Sequence, residues 1–184
     1  MSGALDNFLF HGTISEINAI DISRGRPKKD FGQGFYMALT ADQAIGMMHK
    51  KLREAVRRTR NGLPREFTER LYRIRLVPRV EEMLRVRRFE TADLEWLDFV
   101  LAGRAGAYHD YDVVVGPTAD DDTMISLRNY SRGVYGPEGA LESKRALLNV
   151  LEPQNLGVQV CLCNQRTVEL AVAECSLVDW RDFT

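Results

Sequence analysis

Asp30-Phe31-Gly32-Gln33-Gly34-Phe35-Tyr36-Met37-Ala38, followed by Thr40-Ala41-Asp42-Gln43-Ala44, is the stretch whose reading decides the fold. Two glycines precede an aromatic pair on a short strand, Gly34–Ala38, and a threonine then opens a helix. Glycine permits tight turns and close backbone approach. Phe35 and Tyr36 offer faces on which a flat heterocycle can stack. The same pattern also fits a β-bulge followed by core aromatics. Thr40 is placed as the N-cap of a helix over ADQAIGMMHKKLREAVRRT, stopped by Asn61-Gly62-Leu63-Pro64.

Upstream, NFLFHGT (7–13) reads as an apolar strand ending in a small-residue turn. His11 at its end can donate a hydrogen bond to a ligand hydroxyl, and Gly12 can let a ligand approach the backbone. Taken alone, such a histidine is more often a plain surface or core residue. DISRGRPKKDFGQG (21–34) carries glycine, proline and lysine without a period and is assigned as a loop. Downstream, LYRIRLV (71–77) alternates like a half-exposed strand, with LRVRRFE (84–90) a second candidate. DLEWLDFVLAGR (93–104) has helical periodicity, and its Trp96 and Phe99 are expected in the core. YDVVVGP (111–117) reads as a buried strand. Two helices, DDTMISLRNYSRG and PEGALESKRALLNVL, then precede the strand GVQVCLC (157–163), a short helix NQRTVEL and a last strand AVAECSLV. Strands and helices interleave irregularly, which favours α+β over a doubly wound sheet. With no internal repeat or linker, residues 1–184 are expected to form a single domain.

Composition sets the outer bounds. A chain of 184 residues, 45% hydrophobic and 28% charged, can bury one sizeable core. No apolar run reaches the ~20 residues of a membrane span, and the start of the chain lacks the basic region of a secretory signal. A net charge of −1 makes the chain no electrostatic magnet for nucleic acid or membrane. Cys161, Cys163 and Cys175 are expected as small core hydrophobes in a reducing compartment. The thiols of Cys161 and Cys163 are taken to point to opposite faces of a strand, unable to share a metal, and no metal site is expected.

The two motifs together, in this order, resemble the ADP-ribosyltransferase superfamily, in its diphtheria-toxin and poly(ADP-ribose) polymerase branch. More closely, the chain is similar to a bacterial domain group of that superfamily. The shared motifs stand at Leu9–Thr13, Ile20–Arg26, Lys29–Tyr36, Glu95–Val100 and Tyr111–Asp121. The resemblance implies an α+β split β-sandwich of two antiparallel sheets with flanking helices, and NAD as co-substrate. It implies that His11 orients the ribose and nicotinamide amide and that Tyr36 lies against the nicotinamide ring. Gly12, Thr13, Phe31, Gly34 and Phe35 complete the implied NAD-binding set.

Where such transferases bring a glutamate to the ribose, this chain has Val158-Gln159-Val160-Cys161-Leu162-Cys163, which puts Gln159 in the glutamate slot. A carboxylate there orients the ribose, stabilises an oxocarbenium-like cation and polarises a nucleophile. An amide does the first, does the second poorly, and takes no proton. Either catalysis borrows another carboxylate, with Asp112, Asp120, Asp121 and Asp122 the nearest supply and Asp112 the strongest candidate, or the domain transfers one unit only, slowly, or not at all. Arg24, Arg26, Lys28 and Lys29 lie between the NAD motifs, and Arg24 leads them as a ligand for the pyrophosphate.

The basic tract Lys50, Lys51, Arg53, Arg57, Arg58, Arg60 and Arg65 reads as one solvated helix face or as a docking surface for an acidic partner. Lys51 is taken as an exposed position. The implied activity is mono-ADP-ribosyl transfer from NAD to a protein acceptor, with a hydroxyl side chain, host ubiquitin included, among the acceptors the resemblance permits. The implied setting is a bacterial toxin or effector, in the bacterial cytoplasm or delivered into a host cytoplasm, with an antitoxin or secretion chaperone as possible partner. Two alternatives stay open: a non-catalytic NAD or ADP-ribose binding module, and a toxin modifying RNA or a translation factor. Nucleic acid ranks second, because the basic tract lacks interleaved aromatics.

Overall fold

The chain alternates strand and helix as β1 (Leu9–Thr13), β2 (Phe35–Ala38), α1 (Ala41–Arg58), β3 (Arg70–Leu76), β4 (Val86–Arg88), α2 (Leu94–Ala105), β5 (Val113–Pro117), α3 (Asp121–Ser131), α4 (Leu141–Leu151), β6 (Val158–Leu162), α5 (Gln165–Ala171) and β7 (Val172–Val178). This computed structural model describes residues 5–59, 66–118, 121–151 and 157–184, the side chains of 121–124 excepted. The helix stop at Asn61–Pro64, Arg60, Arg65, Asp120 and the side chains of Asp121 and Asp122 lie outside the described residues.

Local chemistry sets the helix ends. Thr40 accepts from the Gln43 backbone N–H at α1, Asp93 from Trp96 at α2, and Asn164 from Thr167 at α5. Each satisfies an N–H that the first helical turn leaves without a partner. Ala41, Ala44, Ile45 and Met48 form the buried stripe of α1, which lies across β1. An added Cβ on Gly12 would sit 1.9 Å from Ala44 O, so Gly12 is what lets helix and strand approach.

The described strands form one sheet in the order β4-β5-β6-β2-β1-β3-β7. The fold is α+β, and the sheet is mixed rather than antiparallel throughout. The β4–β5 pair is parallel, and the others are antiparallel. α2 lies between β4 and β5 and supplies the crossover that a parallel pair needs.

One seam in the sheet is weak. β1 pairs with β3 from Leu9↔Ile74 to Thr13↔Arg70, and β2 pairs with β6 from Phe35↔Leu162 to Ala38↔Gln159. Between β1 and β2 there is a single register pair, Phe10↔Ala38. Past it the ladder ends, and no further register pair joins the two strands on the side where His11 and Tyr36 stand.

Side-chain alternation divides the core. Leu9, Phe35, Met37, Val113, Val115, Val160 and Leu162 fill one face of the sheet. Phe31, Trp96, Val100, Val114, Leu147 and Cys161 fill the other beneath α2 and α4. Trp96 is fully buried and donates its indole N–H to Pro117 O at 3.0 Å, while Phe99 packs at the edge of the same cluster. Both therefore belong to the core, as their spacing predicts.

Candidate functional site

His11 stands at the parting of β1 and β2. Its ring stacks on Phe35 at 4.7 Å between centroids, and its Nδ1 lies 2.6 Å from the Tyr36 carbonyl oxygen. A carbonyl only accepts, so Nδ1 carries the ring proton and Nε2 keeps its lone pair. Burial, reinforced by the charge of Lys51, lowers its pKa from the ordinary histidine value to about 3. The imidazole is neutral at physiological pH and presents an acceptor. This reverses the expected polarity: what His11 can offer a ligand hydroxyl is an acceptor nitrogen rather than a donor.

Tyr36 is fixed at both ends. Its hydroxyl donates to Gly32 O at 2.6 Å and accepts from Phe31 N–H at 3.0 Å, which closes the Asp30–Tyr36 turn on itself. Burial raises its pKa, so the phenol stays protonated. Phe31 is wholly buried and stacks 6.3 Å away, so it supports Tyr36 from the core side. Phe35 supports His11 in the same way. The ammonium of Lys29 lies 4.2 Å from the centre of the Tyr36 ring, a cation–π contact. Gly34 packs against β6, where an added Cβ would meet Cys161 Sγ at 2.4 Å. Both motif glycines, Gly12 and Gly34, thus serve packing.

Gln159 lies opposite Ala38 on one side and Gly116 on the other, on the Tyr36 side of the sheet. It is 8% exposed, and its Nε2 donates to Asp30 Oδ2 at 2.8 Å. Asp30, itself buried, pairs through Oδ1 with Arg104 of α2. A carboxylate therefore stands one hydrogen bond behind the Gln159 amide. Sequence reasoning quoted Asp30 as part of the turn and assigned it no role. Its partners are 74 and 129 residues away, which no local pattern shows.

Lys51 is the other residue that was missed. It is not a solvated position: its Nζ donates to Gly12 O at 2.7 Å. Burial, aided by the charge of Lys29, lowers its pKa to about 8. The signal was present. Lys51 continues the Ala44–Met48 stripe by one turn, on the face that packs against β1.

The structure does not bring Asp112 to this group. Asp112 precedes β5 and lies beside Cys163, whereas Gln159 lies opposite Gly116, four residues further along, or ~13 Å of extended chain. Its Oδ2 accepts from Arg85 N–H at 2.9 Å and Arg85 Nε at 3.4 Å. Its Oδ1 accepts from Asn164 Nδ2 at 3.1 Å and Thr167 Oγ1 at 3.5 Å. Desolvation alone would raise its pKa; the Arg85 and Asn164 hydrogen bonds prevail and lower it. Asp112 borders a cavity of about 260 Å³ lined also by Met83, Arg85, Arg166 and Leu170, yet both carboxylate oxygens are already engaged.

Thr13 is buried, and its hydroxyl accepts from Ser15 N–H at 3.2 Å, which shapes the turn after β1. Arg24 is exposed at the end of a short 3-10 turn, Ile22–Arg24. Cys161 and Cys163 correct the expectation of opposite faces. Residues two apart on a strand share a face, and their sulfurs lie 3.7 Å apart as free thiols. Among the described residues no cluster of metal-ligating side chains is found.

Residues 8–171 match the model of a family described as protein of unknown function (DUF3990). The chain belongs to the DUF3990 family. The matched span runs from β1 through α5, so the family domain contains every residue of the group around His11, Tyr36 and Gln159. No curated protein and no solved structure matches the chain. Among the described residues no helix is long and apolar enough to cross a membrane.

Proposed function

We propose that this protein is a mono-ADP-ribosyltransferase that binds NAD where β1 and β2 part and transfers ADP-ribose to a protein acceptor. The observation that carries the reading is the convergence at the parted seam. A neutral His11 with a free acceptor nitrogen, the Tyr36 ring and the Asp30-backed Gln159 stand on adjoining strands β1, β2 and β6. The single β1–β2 register pair supports a split-sandwich reading, in which β4-β5-β6-β2 and β1-β3-β7 behave as two sheets joined at Phe10↔Ala38.

In the reaction the bond between C1′ of the nicotinamide ribose and the ring nitrogen breaks, nicotinamide leaves with the electron pair, and an acceptor hydroxyl oxygen bonds to C1′. His11 Nε2 accepts from a ribose hydroxyl and so fixes the sugar. Tyr36, locked by its own turn, presents its ring to nicotinamide once the Lys29 ammonium swings off that face. Gln159 orients the ribose through its amide oxygen, and the hydrogen bond to Asp30 polarises that amide towards the developing positive charge. The acceptor's proton leaves to solvent in this scheme, since Asp30 is already held by Arg104 and Gln159 and His11 is too weak a base.

Incubation of the protein with labelled NAD and a cell lysate tests the reading. It expects free nicotinamide and a labelled protein band, both lost in His11→Ala and Tyr36→Ala. Binding of NAD without nicotinamide release would favour the binding-module alternative, and labelled RNA the RNA-modifying one. NAD neither bound nor consumed would end the proposal.

A further inference from the structure

We propose that Lys29 and Lys51 form a two-point receptor for the pyrophosphate of a nucleoside-diphosphate ligand, set between the Tyr36 ring and the end of β1. The proposal rests on the reading of the parted seam as a nucleotide cleft and goes beyond it by assigning the anion site to two residues of separate elements.

A buried ammonium ordinarily finds a carboxylate, because desolvating a lone cation is costly. Among the described residues neither lysine is in ion-pair range of one. Lys51 reaches only the Gly12 carbonyl, and Lys29 only the face of Tyr36. The nearest carboxylate to Lys29, Asp30, is already taken up by Arg104 and Gln159. Burial lowers the pKa of Lys29 and, together with the Lys29 charge, that of Lys51. Their charges are felt together at His11, which both depress. Two cations therefore face one space with no carboxylate in contact, only Asp30, shared with Arg104 and Gln159, partly offsetting Lys29, at a cost that an entering dianion would relieve. Two monocations match the double charge of a pyrophosphate diester.

The neighbouring polarity agrees. An imidazole presenting a lone pair repels a phosphate oxygen but accepts from a ribose hydroxyl. Lysines beside it therefore place phosphate and sugar next to each other, as they are in a nucleotide. Arg24, first choice from the sequence, is exposed and has no such surroundings.

The test is calorimetric titration of the full chain with ADP-ribose, ADP, inorganic pyrophosphate and adenosine, in wild type, Lys29→Met and Lys51→Met. Each loses a charge-assisted contact, so ADP-ribose and ADP affinity should fall by roughly 10- to 100-fold, with adenosine binding unchanged. Lys51→Arg should recover part of the loss, and thermal unfolding should show both Met variants folded. Unchanged ADP-ribose affinity in both folded Met variants overturns the receptor, and if NAD is still bound and cleaved the transferase reading survives it. Lysine-dependent binding of ADP and pyrophosphate by a protein that ignores NAD supports the receptor and removes the transferase reading instead.

Discussion

The parted seam at His11 and the corner at Asp112 are both polar clusters on one sheet, and they differ in how their charges are answered. At the corner, a carboxylate meets donors from Arg85, Asn164 and Thr167, which tie β4, β5 and α5 together. At the seam, two desolvated lysines face a neutral histidine and no acid is free to meet them. A polar group whose needs are met within the fold holds the fold. Groups held at a cost, with their charge only partly answered by the fold, are what a ligand can satisfy. Asp112, the obvious carboxylate in the sequence, belongs to the first kind.

The largest effect should separate the two regions outright. Gln159→Ala is expected to lower transfer by about 10²–10³, the loss typical of one preorganised polar group aimed at developing charge. Its fold should persist, as judged by an unchanged circular dichroism spectrum. Asp30→Asn should cost part of the same rate through Gln159. Asp112→Ala should do the opposite: destabilise by about 1–3 kcal/mol through its abandoned donors, yet leave activity per folded molecule near wild type. Urea unfolding beside initial rates reads both. A dead but stable Asp112→Asn would move the chemistry to the β5 end.

A smaller effect lies in pH. Unfolded, His11 binds a proton below about 6.5, the ordinary histidine value; folded, it does so only near 3. Between these values the unfolded state holds more protons, so stability falls as pH drops through that window. His11→Gln should flatten this acid limb of the stability–pH curve. Equal slopes in the two proteins would mean that His11 is not held neutral.

The smallest concerns the outward face of α1. Arg57 and Arg58 are exposed, and reversing both to Glu should raise the acceptor's KM several-fold at low salt while sparing NAD cleavage. The difference should shrink at 1 M salt, where the Debye length is ~3 Å. Equal loss of both activities would make the helix face structural.

Most elements were legible because their signals are local. Thr40 before an apolar helical stripe places a cap that the structure uses. The alternation in LYRIRLV and the branched run Val113–Val115 place strands. The candidate site was legible as motifs, His11 and Tyr36 on adjacent strands with Gln159 alongside, but the hydrogen bonds around it were not. The tautomer of His11 depends on the Tyr36 carbonyl, and the role of Asp30 depends on Arg104 and Gln159 far along the chain. The parallel β4–β5 pair depends on where α2 returns the chain. Lys51 was hidden differently: its place on the buried stripe was readable, but the surrounding basic residues made it look solvated. Cys161 and Cys163 needed only the strand period of two.

The most direct measurement is an NMR titration of the labelled protein with NAD, following backbone amides across the sheet. The account predicts shifts concentrated at Leu9–Thr13, Lys29–Tyr36 and Gln159, with Arg85, Asp112 and Asn164 unmoved. Shifts centred on the Asp112 corner, or no shifts at millimolar NAD, would contradict it.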